Sequence, residues 1–322
     1  HYSTGTKSAS GPGFNDSTGK SYIYGDVNVQ IGHDPEKFVG RTAVVYGNVY
    51  GGGESVPLMK SYVVGGTAYS FGTQNSEVAA VYGTTSVSVL PGADIGGSVY
   101  GSGRGISYDS AGNISAEDNV EYSTMYLISY SGSSFSPKNV AWMSSNSIPG
   151  TATYYSNSEM GSTFTDFAMV RGPSSDSDPV SSVTVSGGSI KGDVCGGSAY
   201  GITTQNTIGS NVICSVEISA GEVGGSVYGG GVGVAGKTSV YGSTSVSMTG
   251  GAVRGSVFGG AYYGVIEYDA EVIMTVAQVY GSIYGGGYGS NGKVAVNGTR
   301  KVNLKDVNIG ENIYGGSALG DD

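Results

Sequence analysis

GNVYGG (residues 47–52), GSVYGS (97–102), GDVCGG (192–197), GSVYGG (225–230), GSVFGG (255–260), GSIYGG (281–286) and, stretched by one residue, GENIYGG (310–316) are seven copies of one phrase. Each reads glycine, small polar residue, Val or Ile, aromatic, then small residues. The aromatic slot holds Tyr50, Tyr100, Cys195, Tyr228, Phe258, Tyr284 and Tyr314, at intervals of 50, 95, 33, 30, 26 and 30. The apolar slot before it holds Val49, Val99, Val194, Val227, Val257, Ile283 and Ile313. Self-similarity at about 30 residues is the mark of a repeat architecture, in which each unit buries its apolar face only against its neighbours.

Upstream of each phrase lies a short alternation: SVSVLPGADIGG from Ser86, SVTVSGGSIKG from Ser182, SVEISAGEVGG from Ser215, SVSMTGGAVRG from Ser245 and KVNLKDVNIG from Lys301. Apolar residues at every second position, bounded by glycine, make strands and not helices. A further strand is predicted around residues 81–85 and 240–244, where VYG precedes small polar residues. Three short strands per repeat predict an all-β fold, a β-solenoid of the parallel β-helix kind with an irregular insertion. A β-propeller or β-prism is the alternative, although propeller blades need about 40 residues and four longer strands. Like residues then stack above like, the Val/Ile slots in one column and the aromatic slots in another on the opposite face. The Val/Ile column is expected in the core; whether the tyrosines lie inside or outside is left open.

The organisation that follows is an N-terminal segment with first strands at 1–43, repeats at 44–103, an insertion or degenerate repeats at 104–181, and repeats at 182–322. The stretch without the phrase carries the only tryptophan, Trp142, beside Tyr126, Tyr154 and Tyr155. Insertions in repeat proteins often form the binding face, which makes it a candidate partner surface. An interval of 95 is also close to three worn-down repeats.

Glycine supplies 59 of 322 residues, without the triplet period of collagen. With 25 tyrosines and 38 % hydrophobic residues the composition is not that of a disordered chain. Only 12 % of residues are charged and the net charge is −10, so there is no basic footprint for nucleic acid. No apolar run is long enough for a transmembrane helix. The start at His1 without a charged leader is read as that of a processed secretory chain, extracellular or at the cell surface. In that setting Cys195 and Cys214 predict either a disulfide or two small buried thiols.

Catalytic chemistry finds little support. The acidic residues Asp26, Asp94, Asp193, Glu222, Asp269 and Asp306 are scattered over different repeat contexts, with no paired-carboxylate spacing. His1 and His33 are the only histidines, and Asp321 and Asp322 the only paired aspartates in a Gly-rich phrase. Neither set amounts to a metal site, so neither metal nor cofactor is predicted.

The recurring VYGGG, joined by SV-x-V and G-x-V-x-G, resembles the Gly-rich repeats of large prokaryotic surface proteins, adhesins and autotransporter-like passengers among them. The resemblance covers 181–322 well and 44–103 in part. It implies a stacked β architecture and brings no catalytic residues. The expectation is a non-catalytic protein whose main partner is itself, assembling through strand stacking into a fibre, sheath or surface layer. Alternatives are an adhesin binding polysaccharide or a host surface ligand, and a polysaccharide-active β-helix enzyme.

Overall fold

The structure, a computed structural model, describes residues 22–33, 37, 40–54, 61–64, 67–70, 80–105, 127–131, 134–138, 170–172, 179–205, 210–233, 238–289 and 294–319. The described residues are all-β, with no helix. Three parallel sheets carry the repeats, and successive chain segments lie side by side in sequence order within each. One strand from each sheet makes what we term a tier, and there are seven among the described residues.

The first sheet runs Tyr22–Tyr24, Ala80–Tyr82, Val170–Gly172, Thr203–Gln205, Thr238–Val240, Val265–Ile266 and Ala295–Val296. The long sheet is built from Val27–Ile31, Thr85–Val89, Ser181–Ile190, Val212–Val223, Ser243–Met248, Ala270–Val279 and Arg300–Ile309. Ala43–Val45, Ala93–Ile95 and Ala252–Val253 complete it where a strand is interrupted. The short sheet contains only the seven apolar-aromatic pairs, from Val49–Tyr50 to Ile313–Tyr314. Two-residue strands have no stability of their own; each exists because its neighbours fix it.

Register follows the repeated phrase residue for residue. Val49 pairs Val99, which pairs Val194, Val227, Val257, Ile283 and Ile313 in turn. In the long sheet Val87, Val183, Val216, Val246, Val272 and Val302 form another such column. Inward positions bury Val87, Val183, Ile218, Met248 and Met274, while the intervening Ser245 and Ser247 face out, as the alternation predicts. A second apolar cluster, including Val81, Ile213, Val240, Ile266 and Val296, fills the side against the first sheet.

The long intervals in the repeat are excursions between adjacent tiers. Tier two pairs directly with tier three through Val99–Val194 and Val183–Val87. Residues 106–169 therefore contribute no strand to the three stacked sheets among the described residues. What is described there is an antiparallel hairpin, Leu127–Ser131 with Ser134–Lys138. A second hairpin, Ser61–Val64 with Thr67–Ser70, lies between tiers one and two. The repeats also begin earlier than residue 44, because Tyr22–Tyr24 and Val27–Ile31 already pair with tier two.

Sharp corners in the long strands use left-handed backbone. Gly188, Gly221 and Gly251 supply it with φ of 76°, 91° and 77°, but tiers six and seven place Val276 (58°) and Asp306 (51°) at theirs. A β-branched residue is strained there, and Val276 is 63 % exposed, so its side chain returns little packing. Val276→Gly is expected to raise stability by about 1 kcal/mol, the relief exceeding the added freedom of the unfolded chain. The thermal midpoint of the variant against the parent measures it, and an unchanged or lower midpoint contradicts the strain.

Candidate assembly site: stacked columns and an open edge

Four columns of side chains run along the short sheet, three of them set by positions of the phrase and one by the residues that follow it. The Val/Ile column faces the main core: Val99, Val194, Val227, Val257 and Ile283 are fully buried and Val49 is buried. The aromatic column lies on the opposite face. Tyr50 stacks on Tyr100 at 5.0 Å between ring centroids, Tyr228 on Phe258 at 4.8 Å, Phe258 on Tyr284 at 4.7 Å and Tyr284 on Tyr314 at 4.8 Å. This spacing is the strand spacing of a sheet. Ring stacking is therefore a direct consequence of the register.

A third column covers the rings. After each glycine turn the chain makes one further parallel bridge to its neighbours, through Glu54, Arg104, Ala199, Val232, Tyr262, Tyr288 and Ala318. Tyr262 sits edge-on to Tyr228, and Tyr288 edge-on to Phe258. The aromatic column is thereby enclosed in a small core of its own around Cys195, Tyr228 and Phe258. These contacts leave those rings without an open face for a ligand.

The small polar residue of the phrase makes the fourth column. Asn48 Oδ1 accepts the Ser98 N–H, Ser98 Oγ the Asp193 N–H, and Asp193 Oδ1 the Ser226 N–H. Ser226, Ser256 and Ser282 hydroxyls accept the N–H groups of Ser256, Ser282 and Asn312. Asn, Ser and Asp are interchangeable here because each offers an oxygen to the tier after it. Three steps of the same kind occur ahead of the long strands, where Asp26 accepts from Thr84, Ser243 from Asp269 and Asp269 from Thr299. The Thr84 N–H, then its hydroxyl, holds the Asp26 carboxyl below the usual aspartate value.

The turn glycine of the phrase has a steric cause. A Cβ on Gly51, Gly101, Gly196, Gly229, Gly259 or Gly285 would collide with the carbonyl oxygen of the equivalent glycine one tier on. No side chain fits at that backbone approach.

Charged pairs also link adjacent tiers: Glu54–Arg104 at 3.2 Å, Asp94–Lys191 at 3.8 Å, Glu222–Arg254 at 2.7 Å, and Glu271–Lys301. All include a well-exposed partner, so each contributes at most about 1 kcal/mol. The buried columns matter more.

The columns stop at an uncovered edge. In tier seven Ile313 is 54 % exposed, Tyr314 44 % and the neighbouring Leu319 68 %, where their counterparts in inner tiers are buried or half-buried. A fully buried Ile contributes about 1.5–3 kcal/mol, most of which Ile313 forgoes.

Of the two readings of Cys195 and Cys214, a disulfide or two small buried thiols, the structure has the second: both are free and fully buried. They belong to different clusters, Cys195 to the aromatic column and Cys214 to the core against the first sheet. Burial pushes the Cys195 thiol well up and that of Cys214 up to about 12. Reactive thiolate is correspondingly scarce. His33 Nε2 donates to the Arg41 carbonyl at 2.7 Å. Among the described residues no group of three or more His, Cys, Asp or Glu side chains is arranged to hold a metal ion. No helix among them is long and apolar enough to cross a membrane. His1, Tyr126, Trp142, Tyr154, Tyr155, Asp321 and Asp322 lie outside the described residues.

Two outcomes follow. Asp193→Ala removes the acceptor for the Ser226 N–H and is expected to cost about 1 kcal/mol in denaturant unfolding. Asp193→Asn keeps the acceptor, as Asn48 does in tier one, and stays within a few tenths of the parent; equal losses for both would refute the polar column. Burial first, then the neighbouring Cys195 for Tyr100 and Asp193 for Tyr228, raises both phenols far above their ordinary value near 10. The unfolded chain releases these protons near pH 10 while the folded one keeps them. Stability is therefore undiminished below about pH 10 and falls above it. Tyr100→Phe and Tyr228→Phe should each flatten that fall in alkaline melting curves. No protein-family model, curated protein or solved structure matches the chain.

Proposed function

We propose that the chain is a non-catalytic structural β-solenoid that polymerises through its open edge into an extracellular fibre, sheath or surface layer, as its resemblance to prokaryotic surface repeats implies. The observation that carries this reading is the uncovered tier seven, with Ile313, Tyr314 and Leu319 exposed in register with buried columns. An unpaired strand edge is a template for another strand. A head-to-tail contact that does not close on itself yields a filament and not a ring.

Low surface charge supports the same reading, since 12 % charged residues leave little like-charge repulsion between copies. The free thiols are also consistent with it: stacking, and not covalent linkage, carries the structure. The full chain at rising concentration is expected to pass from small particles to long, unbranched filaments in negative-stain micrographs, and into the pellet on ultracentrifugation. A chain that stays monomeric at high concentration in light scattering removes the reading.

A further inference from the structure

Resting on that reading, we infer that the occupant of tier seven is tier one of a second copy of this chain, added as an in-register parallel eighth tier, so that the polymer is polar. Three observations at opposite ends of the stack carry this.

The first is a pair of glycines without an internal cause. At the turn position every glycine from Gly51 to Gly285 is required by the carbonyl of the tier after it. Gly315, the last of the series, would meet nothing within 4 Å with a Cβ, and it is not one of the positive-φ glycines. At the opening glycine of the phrase, Gly97, Gly192, Gly225, Gly255 and Gly281 crowd the backbone of the tier before them. Gly47, the first of that series, again meets nothing and has no positive φ. Placing tier one of a second copy on tier seven supplies both partners, the Gly51 carbonyl for Gly315 and the Glu311 backbone for Gly47.

The second is hydrogen-bond direction. Within the stack the Val/Ile N–H and the turn-glycine N–H donate to carbonyls of the tier after, as Ile283 does to Asn312 and Gly285 to Tyr314. The same direction leaves the N–H groups of Ile313 and Gly315 facing outward on tier seven. The carbonyls of Asn48 and Tyr50 are the matching acceptors on tier one. The polar column continues too, with Asn312 Oδ1 placed to accept the Asn48 N–H.

The third is side-chain register. The long-sheet pairings, carried one step on, set Leu304 on Ile31 and Ile309 on Val45, while the short sheet sets Ile313 on Val49 and Tyr314 on Tyr50. Each is apolar on apolar or ring on ring, and no pair in that register places like charges opposite. A tail-to-tail dimer would instead lay the strand carrying Arg300, Lys301 and Lys305 against its own copy.

The test uses full-length chains. Gly315→Ala and Gly47→Ala each place a methyl in space that is open in one chain and filled at the junction. Each should leave the unfolding midpoint of the dilute chain unchanged, or slightly higher, and raise the concentration at which polymer appears by at least roughly tenfold. Gln30 and Asn303 are exposed and share a register position across the junction. Parallel neighbours about 4.8 Å apart are within disulfide reach. The double variant Gln30→Cys/Asn303→Cys should give a ladder of covalent multimers on mild oxidation, and either single variant only monomer on a non-reducing gel. Covalent dimers from a single variant, or polymer that forms normally with alanine at 315 and 47, overturn the inference while leaving self-assembly intact. Failure of the parent chain to polymerise at all removes the underlying reading instead.

Discussion

The structure depends on one close approach: at the turn after each aromatic, the backbone of one tier lies against the carbonyl of the next with no room for a side chain. Glycine at Gly101, Gly196, Gly229, Gly259 and Gly285 permits that approach. Once it is made, parallel in-register pairing at about 4.8 Å is imposed on everything nearby. Valines stack on valines, rings on rings, and side-chain oxygens meet the amides of the following tier. The repeated phrase is therefore a single steric solution written seven times. Two-residue strands survive only because this solution is shared between neighbours.

Stability along the stack is uneven for the same reason. At tier three the aromatic slot is Cys195, so the column has no ring between Tyr100 and Tyr228. The covering column is small in the same place, Ala199 and Val232. In tiers five to seven both columns are largely aromatic, with Phe258, Tyr284 and Tyr314 stacked and Tyr262 on Tyr288 at 5.3 Å beside them. Stacked pairs add roughly 0.5–1.5 kcal/mol each beyond the area they bury. The half that ends in the uncovered edge is thus the better-tied half.

Much of this was legible in the residues. The phrase identified the short sheet and its two columns because glycine, valine and tyrosine recur where sterics allow few alternatives. The alternation before it identified the long strands. The covering column was not legible, since Glu54, Arg104, Ala199, Val232, Tyr262, Tyr288 and Ala318 share a backbone bridge and no side-chain chemistry. The polar column was visible as a small residue, but its role required geometry, because Asn48, Ser98 and Asp193 have only an acceptor oxygen in common. First strands were expected within 1–43, but that Tyr22–Tyr24 and Val27–Ile31 belong to the stack itself was hidden because residues 32–42 separate them from the first copy of the phrase. The cysteine pair stayed open between a disulfide and two buried thiols because spacing within one repeat does not say which side of a sheet each residue faces.

Each position of the phrase bonds in a fixed sense, the Val/Ile and turn-glycine N–H groups to the tier after and the opening-position N–H to the tier before, so the two ends of the stack are complementary and not alike, and this is where fold and proposed function meet. In the polar column the oxygens of Asn48, Asp193 and Ser256 are each offered to the tier after. Tier seven therefore presents the N–H groups of Ile313 and Gly315 outward, and tier one the carbonyls of Asn48 and Tyr50 that match them. Two identical ends cannot continue the parallel in-register stack, and the basic strand would meet itself. Opposite ends can, and their apolar rows already share one register. A repeat that stacks by this rule inside one molecule has no separate rule with which to recognise the next. Continuing the stack reproduces, at a junction between chains, the contact that holds each tier to its neighbour.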